Sequence, residues 1–503
     1  MPNRRQFMNQ LGASALVLPM ITQDSFLNSA FKKDSFSYEP LLPQQPTPLP
    51  VPEGMRIPLG LDYYTLAPTG DGLTLNVGKG KKNPKGTVYL RLQLALDTRE
   101  KDEVEIFLGK SGRKIGQSSI WYATALQLFE TKLDATYSEI SQEGIHLKML
   151  NGIKPMYILA TSADNGSHLL VSKIESMPTN ASSSVLYSQR SVQPFGWLEG
   201  CVLDGLQELY KRKNDKKALE AIRMHLRLFL KPDGGFIYED PYGRISDNKF
   251  NNLEAGLPFA ISAQHLPDHP SFGLFLKYCK TRIGDNNTVK SNSLTAEGCY
   301  TIAYPLATIA RDLRQPEWFE YALIELEDRI ETLTDSGAVY TRAWKDKGLK
   351  TYRNWGRGYT WFMLGLIRTA EILQNDSPFK NDSRIKHLKE VYVYYAQLAL
   401  KNQQADHSWR AYLDLEETGY DCSATAGLGA MLAHGHRMGW LTGFSNTQLK
   451  QIQGRLSQSL TPDGFLKDIC QQNAAGEELQ KSEYRVIAQY VLGLKAHIDA
   501  HIS

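Results

Sequence analysis

The sequence predicts a mainly α protein: an (α/α)6 toroid of helical hairpins, preceded by a smaller and mostly antiparallel β domain. From about residue 190 onwards, apolar residues recur with the spacing of amphipathic helices. Similar Gly-containing loops, at 232–236 and 462–465, recur between pairs of these segments, as expected of stacked helical hairpins. Between residues 55 and 185, apolar and polar residues alternate instead with a period of two, which is typical of strands.

Length and composition limit the possible functions. The chain has 503 residues, which corresponds to two or three domains of about 100–200 residues each. Its 57 basic and 54 acidic residues give a net charge of only +3, so no nucleic-acid partner is predicted. Beyond the N-terminus, no apolar run reaches the roughly 18–20 residues of a membrane span. The five cysteines include no CxxC pair and are predicted to be small buried side chains.

Residues 1–30 predict a twin-arginine-type export signal. Arg4 and Arg5 precede Phe7 and a short apolar stretch over residues 11–21. A functional signal implies export, most simply to a bacterial periplasm; the alternative is a basic N-terminus without a targeting role. Residues 31–54 are predicted to be a linker or an extended segment, because six prolines in residues 39–53 exclude a helix or a central strand.

The middle of the chain, residues 55–185, is predicted to be a β-rich accessory domain. Only one stretch in it, at about 119–130, has a helix-like composition. The alternating segments that predict strands lie at 73–77, 87–96, 103–108, 145–150 and 167–172.

Residues 190–503 are predicted to form the (α/α)6 barrel, which is the catalytic domain. Twelve helices make six hairpins, so eleven visible candidates leave one to be found; an open helical solenoid is the structural alternative. The predicted helical segments lie at 198–211, 217–230, 253–265, 271–282, 298–313, 316–333, 358–374, 384–402, 422–438, 446–460 and 482–501.

Three segments place polar and aromatic side chains at the start of a predicted helix. The first contains Asn252 and Glu254, and the second contains Glu297. Taken alone, each is better explained as helix capping. The third, residues 355–361, reads WGRGYTW. There Arg357 can bind a carboxylate through two hydrogen bonds, and the neighbouring aromatic rings offer faces for a sugar.

These segments carry a family resemblance. Residues 195–500, about 60% of the chain, resemble the unsaturated glucuronyl and rhamnogalacturonyl hydrolases of glycoside hydrolase families 88 and 105. The family motif is Trp, a small residue, Arg-Gly, two variable residues and Trp, as in residues 355–361; the segments 417–426 and 436–439 are also similar. The resemblance implies an (α/α)6 barrel with a catalytic aspartate at the start of a barrel helix. Glu297 stands at that position, and a second family aspartate falls near Glu254 or Asn252.

Two reactions and one non-catalytic function follow as hypotheses. In the first, Glu297 protonates a 4,5-unsaturated uronic acid and water adds at C5, while Arg357 holds the uronate carboxylate. In the second, Glu254 and Glu297 hydrolyse a saturated terminal glucuronic acid as a pair. The third is an envelope protein that binds carbohydrate without catalysis. The predicted sugar contacts, besides Arg357, are Trp355, Tyr359, Trp361, Asn252 and His407.

No metal and no cofactor are predicted. The sequence has no HExxH spacing, no Gly-rich phosphate loop after a strand and no GxSxG elbow. The predicted partner is an acidic oligosaccharide. The leaving sugar, the role of the β domain and the oligomeric state are left open by the sequence.

Overall fold

A computed structural model describes residues 35–44, 48–78, 84–162, 165–175, 184–240, 242–284 and 287–502. The predicted export signal at 1–30 lies outside the described residues. Within these ranges, no helix is both long and apolar enough to cross a membrane.

The N-terminal part is an antiparallel sheet that curls like a barrel. Eight strands pair in the order β6-β5-β8-β3-β1-β10-β4-β7, and β2 pairs separately with β9. The Asp134 amide donates a hydrogen bond to the Ile115 carbonyl across 2.8 Å, which brings the two ends of the sheet together. The strands are β1 (Phe36–Pro43), β2 (Tyr63–Leu66), β3 (Leu73–Val77), β4 (Thr87–Gln93), β5 (Lys101–Leu108), β6 (Lys114–Trp121), β7 (Leu128–Lys132), β8 (Ile145–Met149), β9 (Met156–Leu159) and β10 (His168–Ser172).

Strand β1 differs from the linker predicted for residues 31–54. It pairs with β10 over its first half, up to Pro40, and with β3 from Leu41 to Pro43. Each half therefore has one partner on one side, and the missing N–H groups of the two prolines are tolerated. Pro40 still contributes its carbonyl, which accepts a hydrogen bond from the Gly78 amide at 2.9 Å.

The helix-like stretch at 119–130 is not a helix. It contains the end of β6, a loop over residues 122–127 and the start of β7. Tyr122 and Leu126 in this loop have φ values of 49° and 64°, a left-handed conformation that interrupts regular structure. The helix of this region is the short α1 (Tyr137–Glu143), which begins at a capping box of Thr136 and Glu139.

Among the described residues, the C-terminal part contains twelve helices, and these correspond to the predicted segments with differences in detail. The α-helix begins only at Pro258 in the segment 253–265, at Tyr304 in 298–313 and at Tyr490 in 482–501, and the short helix α12 was not predicted. The helices are α2 (Trp197–Lys213), α3 (Lys216–Phe229), α4 (Pro258–His265), α5 (Ser271–Arg282), α6 (Tyr304–Asp312), α7 (Glu317–Leu333), α8 (Gly356–Asp376), α9 (Ser383–Lys401), α10 (Cys422–Arg437), α11 (Asn446–Ser457), α12 (Glu477–Lys481) and α13 (Tyr490–His501).

Six of these helices form a closed ring. Helices α2, α4, α6, α8, α10 and α13 pack each against the next, and α13 returns to α2. The ring closes where Gly205 of α2 meets Gly493 of α13: a Cβ on Gly205 would lie 2.2 Å from the Gly493 carbonyl oxygen. Only glycine permits so close an approach of two helices. The other long helices lie outside the ring, consistent with an α/α toroid.

Short strands complete the helical part. They are β11 (Ser293–Thr295), β12 (Thr334–Asp335), β13 (Ala338–Trp344), β14 (Leu349–Arg353), β15 (Ile469–Cys470) and β16 (Arg485–Val486). The β13–β14 hairpin lies between α7 and α8, and β11 pairs with its first strand. This small sheet, which the helical pattern did not predict, lies beside Glu297.

Candidate active site

Glu254 lies in a short 3-10 turn, Leu253–Ala255, just before inner helix α4. The Asn252 side chain caps this turn by accepting a hydrogen bond from the Glu254 amide at 3.0 Å. Asn252 therefore has the capping role that its sequence suggested. The Glu254 carboxylate makes no hydrogen bond or ion pair with a described residue, so it is not itself part of the cap.

Glu297 lies two residues before a π-helical turn, Cys299–Ala303, that leads into α6. Single π-turns of this kind are frequent at functional sites. Buried Arg329 fixes the turn by donating from Nε to the Thr295 carbonyl oxygen at 2.8 Å, and its guanidinium fills the space against Gly298. The Oε2 atom of Glu297 is buried without a hydrogen-bond partner.

The two glutamate segments are in direct contact. A Cβ on Gly256 would lie 2.0 Å from the carbonyl oxygen of Thr301, so the turn that carries Glu254 packs tightly on the π-turn that follows Glu297. Burial and the negative charge of Glu297 raise the pKa of Glu254 to about 7. Burial also raises the pKa of Glu297. The negative charge of Glu297 therefore disfavours ionisation of Glu254.

Two small cavities lie at the N-terminal ends of the inner helices, and Glu254 lines the first of them. The first, of about 10 Å³, is lined by Asn252, Glu254 and Trp197. The second, of about 20 Å³, is lined by Trp197 and Arg357. Thr124, from the loop at 122–127 of the β sheet, lines both. Each cavity has the space of about one water molecule, so the loop closes this end of the ring.

Arg357 is brought to the second cavity, but most of its donors are already used. Its guanidinium donates to the carbonyl oxygens of Cys470 at 2.7 Å and Gln471 at 2.6 Å. It also donates to the Tyr490 hydroxyl at 2.9 Å, and only 2% of the residue is exposed. Arg357 therefore holds the loop after α11 against α13.

The aromatic residues of the WGRGYTW segment lie in three different environments. Trp355 is 1% exposed and stacks on Arg357 with the guanidinium 4.5 Å from its ring centre. Tyr359 donates to the Tyr395 carbonyl at 2.6 Å and lies between α8 and α9, away from the glutamates. Trp361 lies inside the ring, 5.5 Å from the Trp197 ring.

His407 is not brought to the glutamate pair by any described contact. It occupies a tight turn after α9, where its amide bonds to the Gln404 carbonyl at 2.9 Å. Its φ of 67° is a left-handed turn conformation.

Two residues at the mouth were missed by the sequence reading. Arg342 lies in β13, paired in register with Thr295 just before Glu297. It makes no hydrogen bond or ion pair with a described residue, and its guanidinium lies 5.7 Å from the Trp344 ring. Its positive charge lowers the pKa of both Glu254 and Glu297, which opposes the effect of burial. The alternation in residues 338–344 was the available signal for this strand.

The second missed residue is Trp197, at the start of α2. It is half-buried and lines both cavities. Its position as the first residue of an inner helix was the available signal, since the starts of these helices form the mouth.

The fold is similar to that of several solved structures. A possible member of family GH105 from Klebsiella pneumoniae is 16% identical, with a TM-score of 0.52 over 61% of this chain and 82% of that chain. A possible GH105 member from Salmonella enterica is 16% identical, with a TM-score of 0.52 over 64% and 84%. A family 105 glycoside hydrolase of C. acetobutylicum is 19% identical, with a TM-score of 0.51 over 62% and 94%. At these identities the likeness shows the fold alone.

The family is shown by a sequence comparison. No curated protein matches the chain significantly. The model of Glycosyl Hydrolase Family 88, however, matches residues 172–498, which include Glu254, Glu297 and the WGRGYTW segment. Since this match covers well over half of the sequence, the chain belongs to glycosyl hydrolase family 88.

Proposed function

We propose that this protein releases a terminal 4,5-unsaturated uronic acid from an acidic oligosaccharide by acid-catalysed hydration. The observation that carries this is the Glu254–Glu297 pair, which has raised pKa values and no cation bound to it among the described residues. Burial raises the pKa of both carboxyl groups, which favours their protonated form, and a protonated carboxyl group can donate to a carbon–carbon double bond. Glu297 is the proposed donor, since its buried Oε2 has no competing hydrogen bond.

In the proposed reaction, Glu297 protonates C4 of the enol ether and water adds at C5. The product is a hemiketal, which opens and releases the leaving sugar. Glu254 is the proposed partner that shares the proton and can accept one from the attacking water. Arginine and lysine side chains do not replace a carboxyl group in this role at pH 7, because their pKa values are far higher.

Arg342 is the proposed ligand of the uronate carboxylate. The sequence predicted Arg357 in this role, but three of its hydrogen bonds already go to Cys470, Gln471 and Tyr490. Arg342 is half-buried beside Thr295 and engages no described carboxylate. Its charge acts on both glutamates, so an anion bound there would lie next to the proton donor.

The loop at 122–127 supports a preference for the terminal sugar of a chain. Side-chain amides of the barrel hold it: Gln472 donates to the Tyr122 carbonyl at 2.6 Å, and Gln489 donates to the Leu126 carbonyl at 2.8 Å. A polysaccharide cannot pass through a mouth that is closed on this side. Because the cavities hold about one water each, the loop must also move to admit a sugar ring.

The second candidate reaction is hydrolysis of a saturated terminal glucuronic acid. One specific observation favours it, namely that two coupled carboxyl groups are present, as this reaction requires. Export to the periplasm, proposed from the Arg4-Arg5 segment, is compatible with either reaction.

The test uses two matched disaccharides, one with a terminal 4,5-unsaturated uronic acid and one with a saturated glucuronic acid. The ultraviolet absorbance of the double bond and the release of reducing sugar are followed together. Loss of absorbance on the unsaturated substrate alone is the expected result. Release from the saturated substrate would transfer the assignment to the second reaction, and no turnover of either would contradict both.

A further inference from the structure

A cluster of buried histidines lies at the far end of the ring from the glutamate pair. Glu208 of α2, His434 of α10 and His501 of α13 each offer one atom, and these three atoms lie within 4.8 Å of one another. They are near the C-terminal ends of their helices, about 16 Å along α2 from Trp197 at the mouth. The proposed reaction uses none of them.

A hydrogen bond determines which ring nitrogen of His501 carries no hydrogen. Its Nδ1 lies 2.7 Å from the carbonyl oxygen of His497. A carbonyl can only accept, so Nδ1 carries the hydrogen. The Nε2 atom of His501 is therefore a bare lone pair; it is buried, has no hydrogen-bond partner and lies 3.9 Å from Oε2 of Glu208.

The position of the hydrogen on the His434 ring follows in the same way from its neighbour His497. Nε2 of His497 lies 3.4 Å from the Asp204 carboxylate without forming a hydrogen bond, and the negative charge of Asp204 favours a hydrogen on that nitrogen, which leaves Nδ1 as an acceptor. Nε2 of His434 lies 3.0 Å from that Nδ1 and must donate to it. Nδ1 of His434 is then a second bare lone pair, buried and without a partner.

Two imidazole lone pairs and a carboxylate thus face one another with no hydrogen between them. Three acceptors at this distance repel one another unless a cation lies between them. The N–H of each ring is already bonded away from the cluster, which is the usual arrangement of metal-binding histidines.

The surrounding charges balance without a contribution from the histidines. Arg368 donates to Glu208 Oε1 at 2.5 Å and to Asp204 at 2.6 Å. Arg212 lies 3.3 Å from Glu208 Oε2, and Arg437 pairs with Glu371. Glu371 Oε2 lies 3.9 Å from His434 Nδ1 and is within reach as a further ligand.

We propose that Glu208, His434 and His501 bind a divalent transition-metal ion of the zinc class. Two histidine nitrogens and one carboxylate oxygen are a common ligand set for Zn²⁺, with bonds of about 2.0–2.2 Å. The ligand atoms must approach by about 1 Å to reach such bonds. The ion stabilises the closure of the ring, because it joins α10 and α13 to α2, and it does not take part in the chemistry at the mouth.

The test measures zinc binding to the full chain after treatment with a chelator, by isothermal titration with ZnCl₂. One ion per chain is expected, and a melting temperature that rises with zinc and falls again on chelation. His501→Gln should weaken binding at least about tenfold. The control His146→Gln, in the β sheet beside Thr74, should bind as the unsubstituted protein does.

Two results would overturn the proposal. Absence of saturable 1:1 binding in the unsubstituted protein means that water or a proton alone satisfies the cluster. Equal binding by His501→Gln means that zinc lies elsewhere. If His501→Gln does not fold, the absorption spectrum of the Co²⁺-loaded unsubstituted protein decides: nitrogen and oxygen ligands in a tetrahedral site are expected, and an octahedral aqua-ion spectrum contradicts the proposal.

Discussion

Arg91 and Asp463 form a buried two-pronged ion pair that joins the β sheet to the helical ring. The Arg91 guanidinium donates to both Asp463 oxygens, at 3.2 and 2.8 Å, and both side chains are completely buried. The Tyr38 hydroxyl donates to the same carboxylate at 2.9 Å. The positive charges of Arg91 and Arg190 lower the pKa of Asp463 to about 2, so it is ionised at neutral pH.

Asp463→Ala should therefore destabilise the protein strongly. The substitution leaves the Arg91 charge buried with only Glu130 to balance it, which costs about 3–5 kcal/mol. Urea unfolding measures the effect. Glu390→Ala, which removes an exposed pair with Lys386, is the control and should change stability by less than about 0.5 kcal/mol. A small effect of Asp463→Ala would show that the ion pair does not hold the sheet in place.

Glu297→Gln should lower turnover by about 100-fold or more, since a proton donor is lost while the shape of the side chain is kept. Glu254→Gln should also lower turnover. Glu331→Gln, an exposed position on α7, is the control. Near-normal turnover by Glu297→Gln would exclude it as the donor.

Arg342→Gln should raise KM for a uronate substrate and shift the pH profile. Removing the positive charge raises the pKa of both glutamates, so the alkaline limb of kcat/KM moves to higher pH. Arg342→Lys keeps the charge and should leave the limb in place. A purely structural role for Arg342 would change neither KM nor the limb.

Glu254→Gln should stabilise the folded protein at and above neutral pH. The folded pKa of Glu254 is raised to about 7, so the folded state binds the proton more tightly than the unfolded state does. The resulting cost of ionisation is absent below about pH 4.5 and complete above about pH 7, where it amounts to roughly 2–3 kcal/mol. Thermal unfolding of both proteins at pH 4.5 and pH 8 measures this, and an equal difference at the two pH values would contradict it.

Gly205→Ala should destabilise the ring by about 1–3 kcal/mol or more, because the added Cβ collides with the carbonyl of Gly493. The control is Gly273→Ala in α5, where a Cβ meets nothing within 4 Å. That substitution removes chain entropy from the unfolded state and should stabilise by up to about 1 kcal/mol.

Most of the fold could be predicted from the sequence, because long helices keep a regular spacing of apolar residues. The segment 358–374 lies wholly inside α8, for example. The hairpin that carries Arg342 was not predicted, since two short strands between helices give only a weak alternation. Strand β1 was missed because prolines exclude a continuous central strand but not one that changes partner at Pro40.

Only part of the candidate site could be predicted from the sequence. Helical spacing could have shown that Tyr359 and Arg357 lie on different sides of α8, because residues two apart in a helix point to different sides. Trp361, four residues after Arg357, lies on the same side as Arg357. The contact between the turns of Glu254 and Glu297 depends on the close approach of Gly256 to Thr301, which no local pattern reveals. Likewise, the positions 208, 434 and 501 have no metal-binding spacing and come together only when the ring closes.

The last helix closes the ring, so the helix that covers one side of α2 is the last to be synthesised. Gly205 leaves the ribosome about 290 residues before Gly493 arrives to cover it. Until then, one side of α2, which includes Leu198 and Val202, has no partner and presents an apolar surface to the cell. Contacts so distant in sequence form slowly. The emerging chain is therefore expected to need chaperones that bind exposed apolar segments, and aggregation should compete with folding when these are scarce.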